Sequence, residues 1–255
     1  MRRLFLPVLL GLSTSCAPPQ APRELEQLAC FIFDHADDED PELLIDALQN
    51  LDQWLSEGHQ EDAEEGYQIN LLIPSAVSDL EGDNHNLSDD LIGAAVATEY
   101  GNHEVERVVE ATALEDWEAI MGDLYEYYRK EWLDGGACLG DRGCLTSEAR
   151  AESELVTIGV SVASENRIEY RWLEMDTGWA FVHRSWLTEP PVVSSDLVDP
   201  NSQYYLAITI PGSQSLRLQA TWIDTKIVGL SIPKSIVADT MRDQGDTLQE
   251  WMDAN

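Results

Sequence analysis

The residues that could do chemistry are few and scattered. The five histidines lack the H-E-x-x-H and H-x-x-x-H spacings that place two zinc ligands on one helix face; they are His35, His59, His85, His103 and His183. Ser161 lies in Gly159-Val-Ser-Val-Ala163, which is one residue short of a nucleophile elbow and falls inside an apparent strand. Glycine patterns that cradle phosphates are also missing. The sequence therefore predicts no catalytic residues, no metal site and no cofactor.

One acidic stretch partly matches a calcium-binding loop. Asp79, Glu81, Asp83 and Asp90 stand at its first, third, fifth and twelfth positions. However, Asn84 replaces the glycine of the sharp turn, and the twelfth residue is Asp instead of the bidentate Glu. We interpret these acids as a solvated face, which would bind divalent cations only weakly and without specificity.

The cysteines favour a disulfide over a metal site. Cys138 and Cys144 flank a short loop that contains Gly140 and Gly143, so the two thiols can meet. A zinc site would need a second thiol pair or a nearby histidine, and neither is present. Cys30 lies in an apolar string and is interpreted as a buried, unreactive thiol.

The N-terminus has the parts of an export signal. Met1-Arg2-Arg3 is basic, and the nine-residue apolar run Leu4–Leu12 is too short for the roughly 20 residues that span a bilayer. Ser13, Thr14 and Ser15 then precede Cys16. This arrangement resembles that of bacterial lipoproteins, which are cut just before a cysteine that carries diacylglycerol, although Ser13 stands where the motif usually has Leu.

The lipoprotein resemblance implies lipid attachment at Cys16 and a membrane partner through that anchor. Residues 17–22 would form a Pro-rich tether, and Ala17 after the cysteine implies sorting to the outer membrane. The alternative is ordinary signal-peptidase cleavage after the small residues, which would release a soluble secreted protein. The predicted segments are residues 1–15 as signal peptide and 16–23 as lipidated cysteine and tether.

Charge divides the rest of the chain. The 255 residues contain 15 Lys and Arg against 48 Asp and Glu, a net charge of −33, which argues against nucleic acid as a partner. Residues 24–106 contain 23 of the acids and no Lys or Arg. We predict an acidic helical region over 24–106 and an α+β region over 107–255.

Three helices are predicted before residue 134. Asp40 and Pro41 begin the first, in which leucines recur at helical spacing until Gly58. The second is predicted over Ser88–Gly101. The third is predicted over Ala113–Leu133, where Thr112 and Glu115 form an apparent capping box.

Beyond residue 144 the pattern changes to strands and a closing helix. Apolar residues alternate with polar ones over residues 167–172 and 216–222, so each of these strands should have one dry and one wet face. Further strands are predicted over 155–162, 179–187 and 203–210, with turns at 176–178, 189–191, 199–201 and 211–212. A closing helix is predicted from about Pro233.

This order of elements resembles the START-like helix-grip superfamily, in which an antiparallel sheet wraps around a C-terminal helix. The family opens with a strand, for which residues 104–110 are the candidate here. The resemblance implies an α+β fold with an apolar cavity lined by sheet aromatics; the candidate pocket residues are Tyr170, Trp172, Phe181, His183 and Trp222. Arg184 would be a second polar anchor beside His183. Without such a cavity, these aromatics are ordinary core residues.

Two functions follow as hypotheses. The first is a non-catalytic lipoprotein of the cell envelope that binds an apolar or lipid-like ligand. The second is a structural or protein-interaction lipoprotein with an envelope protein as partner, recognised through the acidic residues 24–106. A hydrolase would require a cleft that gathers a histidine, a carboxylate and a hydroxyl.

Overall fold

The computed structural model describes residues 20–57, 66–82, 87–122, 124–157, 159–212 and 214–255. Several predicted features lie outside the described residues. They are the export signal, Cys16, the first residues of the tether, His59, His85 and Asp83 of the calcium-like loop.

One antiparallel sheet forms the centre of the described chain. Its strands are β1 (Tyr67–Gln68), β2 (Ile92–Tyr100), β3 (Tyr125–Asp134), β4 (Thr146–Thr157), β5 (Val160–Met175), β6 (Gly178–Leu187), β7 (Val192–Val193), β8 (Val198–Ile210), β9 (Ser215–Ile227) and β10 (Leu230–Ser231). The spatial order is β1-β2-β9-β8-β6-β5-β4-β3, with β10 beside β9 and β7 beside β5. The predicted antiparallel sheet is confirmed.

Helices cover both faces of this sheet. They are α1 (Leu25–Asp34), α2 (Glu42–Ser56), α3 (Pro74–Val77), α4 (Val105–Thr112), α5 (Glu118–Met121), α6 (Gly136–Leu139) and α7 (Lys234–Ala254). Apolar residues of α1, α2 and α3 pack on one face, which we call the outer face. Residues of α4, α5 and α7 pack on the other, which we call the inner face.

The closing helix and the fold class are confirmed. α7 begins directly after Pro233, and Val237, Met241, Leu248 and Met252 are buried along one side of it. Val237 and Met241 pack against Ala94 and Val96 of β2. A long C-terminal helix lying on a large antiparallel sheet is the helix-grip arrangement, so the predicted α+β fold is confirmed.

The predicted helix over Ser88–Gly101 is wrong. From Ile92 to Tyr100 the backbone pairs with β9 along its whole length, beginning opposite Ile223 and ending opposite Ser215. Gly93–Val96 are buried on both sides of this strand, and a short apolar run has the same pattern in a strand as in a buried helix. β2 is the long strand that precedes α4. Residues 104–110, which were expected to form that strand, lie largely in α4 itself.

The predicted helix over Ala113–Leu133 is also wrong. Thr112 is the last residue of α4, and its hydroxyl donates to the Val108 carbonyl instead of capping a new helix. Only the short α5 follows before β3. A register shift in β3 between Tyr125 and Tyr127 brings Tyr125 and Tyr128, three residues apart, to the same cavity. Such an irregularity lets two residues three apart in a strand lie on the same side, as residues of a helix do.

Two smaller corrections concern strand ends. Residues 155–162 are not one strand, because β4 turns into β5 through Gly159, whose φ of 77° suits a tight hairpin. The turn expected at 199–201 is instead a register shift inside β8, between Pro200 and Ser202. The remaining strand predictions fall within β5, β6, β8 and β9.

The first predicted helix and the disulfide are present. α2 begins after Pro41, and the Asp40 carboxylate accepts a hydrogen bond from the Glu42 amide. Cys138 and Cys144 are joined by a disulfide at one end of the sheet. The Cys30 thiol is free and donates to the Asn70 carbonyl, and burial raises its pKa to about 12.

Candidate functional site

A cavity of about 450 Å³ lies between the inner face and α7. Strands β3 to β6, β8 and β9 form its floor and sides, and residues of α5 and α7 cover it. The volume lies within the range of roughly 300 to 1,000 Å³ typical of small-molecule sites. This cavity is the candidate functional site.

One end of the cavity is apolar. At this end β9 finishes and α7 begins, and the lining side chains include Leu155, Val162, Leu187, Val198, Ile227 and Ile236. Ile236 also reaches the surface, as do Val228 and Leu230 in the adjoining turn, with 47%, 69% and 73% of their area exposed. We call this end the apolar end and these three residues its rim.

The opposite end is polar, and β9 supplies much of it. Arg217 and Gln219 point into the cavity and are 3% and 2% exposed. Both donate hydrogen bonds to the hydroxyl of Tyr205, at 3.4 Å from Arg217 and 2.9 Å from Gln219. Two donors on one phenolic oxygen leave its own O–H free to donate elsewhere.

His183 and Tyr170 continue this polar end on neighbouring strands. The two rings lie opposite each other in the register of β5 and β6, with centroids 4.9 Å apart. Burial, followed by the positive charges of Arg217 and Lys130, holds the pKa of His183 well below its usual value, so the imidazole is neutral. Among the described residues, neither ring nitrogen of His183 has a hydrogen-bond partner, and the Tyr170 hydroxyl has none either.

Lys130 is a further buried basic side chain at the cavity wall. Its ammonium group donates to the Thr112 carbonyl at 2.6 Å and lies 5.5 Å from the centre of the Tyr170 ring. Burial lowers the pKa of Lys130 to about 7, and the negative charge of Glu115 opposes that shift only in part. Lys130 is therefore more readily deprotonated than a solvated lysine.

Four of the five candidate pocket residues lie on the inner face. Tyr170 and His183 line the cavity. Trp172 and Phe181 share their face but pack on each other beneath the disulfide loop, where the Trp172 indole donates to the Leu139 carbonyl at 2.8 Å. Trp172 and Phe181 are therefore core residues behind the end of the cavity.

Trp222 and Arg184 point the other way. Trp222 packs edge-on against Phe33 of α1 and donates to the Asn70 carbonyl on the outer face. Arg184 also lies on the outer face, in contact with Glu169 and Asp37. Neither residue lines the cavity, because successive side chains of a strand alternate between faces and the cavity lies on the side of Thr221 and His183.

Sequence reasoning missed Arg217, Gln219, Tyr205 and Lys130. Arg217 and Gln219 belong to the alternation of β9 whose polar side was expected to face water. That expectation is wrong because α7 covers this side, although the helix-grip resemblance already implied such a cover. Lys130 was missed because its segment was assigned to a helix.

The side chains that could hold a metal ion are dispersed over the described ranges. No three His, Cys, Asp or Glu side chains gather there closely enough to hold a metal ion. His35 and His103 each contact one aspartate, Asp38 and Asp253. Over the same ranges, no helix has both the length and the apolar composition needed to cross a membrane.

Comparisons with known proteins were made by sequence and by structure. Neither protein-family models nor curated proteins match the sequence. Among solved structures, the chain is similar to a START superfamily protein from Mycobacterium smegmatis, with a TM-score of 0.42, 9% identity and coverage of 64% of this chain and 97% of that one. It is similar to ginseng major latex-like protein 151 from Panax ginseng, with a TM-score of 0.41, 9% identity and coverage of 64% and 97%. For human STARD10 the TM-score is 0.37, the identity 8% and the coverage 74% and 85%.

Proposed function

We propose that the protein is a non-catalytic lipoprotein of the cell envelope that binds an apolar or lipid-like ligand in the cavity between the sheet and α7. The observation that carries this proposal is the cavity itself. Protein interiors are close-packed, and voids larger than a few water molecules are uncommon. A space of about 450 Å³ at the centre of the fold therefore has the size of a binding site.

The composition of the cavity wall supports an apolar ligand. Leu155, Leu187 and Ile227 belong to its apolar end, and Met241 and Leu248 extend this surface along α7. An alkyl chain or ring system placed there leaves water on binding, which contributes roughly 25 cal/mol for each Å² buried. Ile236 lines the cavity and is also half-exposed, so the apolar wall reaches the surface at this residue.

The membrane anchor is the second part of the proposal and rests on the sequence of residues 1–23. The basic start, the short apolar run and Cys16 resemble a lipoprotein leader, which they match except for Ser13 in the place of the motif's Leu. A diacylglycerol on Cys16 would hold the cavity beside a bilayer, with residues 17–22 as spacer. The location that follows is the outer membrane of the cell envelope.

One mass-spectrometry experiment tests both parts. The full chain is expressed with its own leader in a bacterium and extracted from the envelope, and its native and denatured masses are compared. We expect extra mass in the native state that is lost on denaturation, which identifies the class of ligand. We also expect the denatured mass to include diacylglycerol at Cys16 and to lack residues 1–15.

A variant with a filled cavity supplies the control. Ser185 lines the cavity, so Ser185→Phe should remove the retained ligand while the protein remains folded. Ser56→Phe makes the same change on the exposed end of α2 and should retain the ligand. Equal native and denatured masses in the wild type would contradict the ligand proposal and favour the protein-interaction role.

A further inference from the structure

The charge of the cavity is opposite to that of the chain. The protein carries a net charge of −33, yet no Asp or Glu occurs among the described residues that line the cavity. The side chains there that can carry charge at neutral pH are both basic: Lys130 and Arg217. The cavity is thus a locally basic site in a protein that has about three acids for each base.

Two arginines of the same sheet differ in whether a carboxylate compensates their charge. Arg184 and Arg217 are both 3% exposed. Arg184 lies 2.6 Å from a Glu169 oxygen and 2.9 Å from an Asp37 oxygen, so its charge is compensated. Arg217 has no carboxylate within ion-pair distance in the part of the chain that the structure describes, and its Nε has no hydrogen-bond partner there. A buried charge without a counter-charge is costly, and an anion from outside the chain would compensate it.

Additional donors surround the same position. Tyr205 contacts Arg217 through its hydroxyl and packs on His183 with ring centroids 5.4 Å apart. Neutral His183 carries one ring N–H, and Tyr170 carries one O–H, neither of which has a partner within the described chain. In the sheet register His183 stands opposite Ala207, whose small side chain leaves space between the imidazole and the next strand.

The two ends of the cavity suit different parts of one molecule. Along β9, the residues that face the cavity run from Ile227, Thr225 and Ile223 near the apolar end, through Thr221, to Gln219 and Arg217 at the polar end. Strand residues two apart are separated by roughly 7 Å, so about 30 Å of strand separates Arg217 from Ile227. A ligand with a polar head and an apolar tail therefore matches the cavity in one orientation only.

We propose that the ligand is an acidic amphiphile whose carboxylate or phosphate group binds Arg217, with His183 and Tyr170 as further hydrogen-bond donors, and whose apolar chain extends towards Ile236. The inference rests on the proposed ligand-binding function and specifies its substrate class. The Arg217 guanidinium supplies the charge that the acidic group requires, and the acidic group supplies the counter-charge that Arg217 lacks.

The test uses probes that share a twelve-carbon chain and differ in the head. Dodecanoate, dodecyl phosphate and dodecan-1-ol are titrated by calorimetry into the full, lipid-depleted chain at pH 7.5, and inorganic phosphate is titrated alone. We expect at least one acid to bind about tenfold more tightly than the alcohol, in spite of the repulsion from the net charge. We expect inorganic phosphate to bind much more weakly than dodecyl phosphate.

Variants then assign the preference to Arg217. Arg217→Met should abolish the preference for the acids over dodecan-1-ol, whereas Arg217→Lys should retain part of it. Arg150→Met removes a positive charge from the solvent-exposed side of β4 and should retain the preference in full. Urea midpoints establish that each variant is folded before it is titrated.

Each contrary result has a defined meaning. The acidic headgroup is overturned if the wild type binds the alcohol and both acids with equal affinity. It is also overturned if Arg217→Met and Arg150→Met lose the acid preference equally. The proposed apolar site would stand in both cases. Inorganic phosphate that binds as tightly as dodecyl phosphate overturns the amphiphile and leaves a plain anion site. If no twelve-carbon probe binds, the proposed function itself fails. The comparison of acid and alcohol on the wild type decides the inference even if every variant is unfolded.

Discussion

The outer and inner faces of β9 differ in chemistry, although one strand supplies both. Leu218, Ala220 and Trp222 point outward and pack under α1 and α2 in an apolar core. Arg217 and Gln219 point inward and are equally buried, yet they border a cavity and keep polar atoms without partners in the described chain. Burial on the outer face stabilises the fold, whereas burial on the inner face costs free energy. Such a cost is typical of a binding site that is completed by its ligand.

The largest expected effect lies on the outer face. Trp222→Ala should lower the free energy of unfolding by about 3–5 kcal/mol, because it opens a cavity beside Phe33 and removes the hydrogen bond to Asn70. Thr221→Ala, one residue earlier and on the inner face, should cost only about 1 kcal/mol for its hydrogen bond to the Tyr204 carbonyl. Urea denaturation measures both. Equal losses would contradict the distinction between the two faces.

A smaller effect is expected where the disulfide loop closes the inner face. The bridge joins residues six apart, so the double variant Cys138→Ala/Cys144→Ala should lose about 2 kcal/mol by the loop-entropy argument. Reductant should destabilise the wild type by a similar amount and leave the variant unchanged. Probe affinity should be retained, because this loop covers Trp172 outside the cavity. A loss of binding would place the loop in the site.

The smallest effect concerns pH and Lys130. Its folded pKa of about 7 lies below the unfolded value of 10.5, so between these values the unfolded chain holds more protons. The free energy of unfolding should therefore rise with pH, by about 1–2 kcal/mol between roughly pH 7 and 8.5, at a slope below about 1.4 kcal/mol per pH unit. Denaturation across this range measures the rise.

The matching variants separate Lys130 from the other amines. Lys130→Met should flatten the rise of stability with pH, because it removes the buried amine. Lys234→Met, at the start of α7, should leave that rise intact. A wild type whose stability is constant over this range would refute a buried, readily deprotonated Lys130.

The spacing of apolar residues predicted correctly those elements that have one apolar and one polar side in the sequence. The alternation around Tyr170 and Trp222 and the stripe of Val237 and Met241 matched β5, β9 and α7. It failed for Ile92–Tyr100, whose buried apolar run matches a strand and a buried helix equally well. It also failed for Ala113–Leu133, where only the short α5 is helical and β3 begins at Tyr125. In both segments, pairing with a distant strand decided the structure.

The candidate site was predicted only in part, for a related reason. Alternation identified which residues share a face, so Tyr170 and His183 were placed together correctly. It could not state which face is covered by α7, and Trp222 was therefore assigned to the cavity in place of Arg217 and Gln219. Because neighbouring residues of a strand point to opposite faces, a shift of one residue exchanges the two faces. Only packing against the rest of the fold decides which face borders the cavity.

By itself, the amino-acid sequence determined the acidic charge, the disulfide partners, the closing helix and the α+β class, since each depends on composition or on short-range spacing. The tertiary structure decided that the polar side of β9 is buried, that Arg217 has no carboxylate beside it in the described chain and that Lys130 lies against Tyr170. These facts depend on which distant elements meet, because burial and charge compensation arise only where the folded chain brings them together.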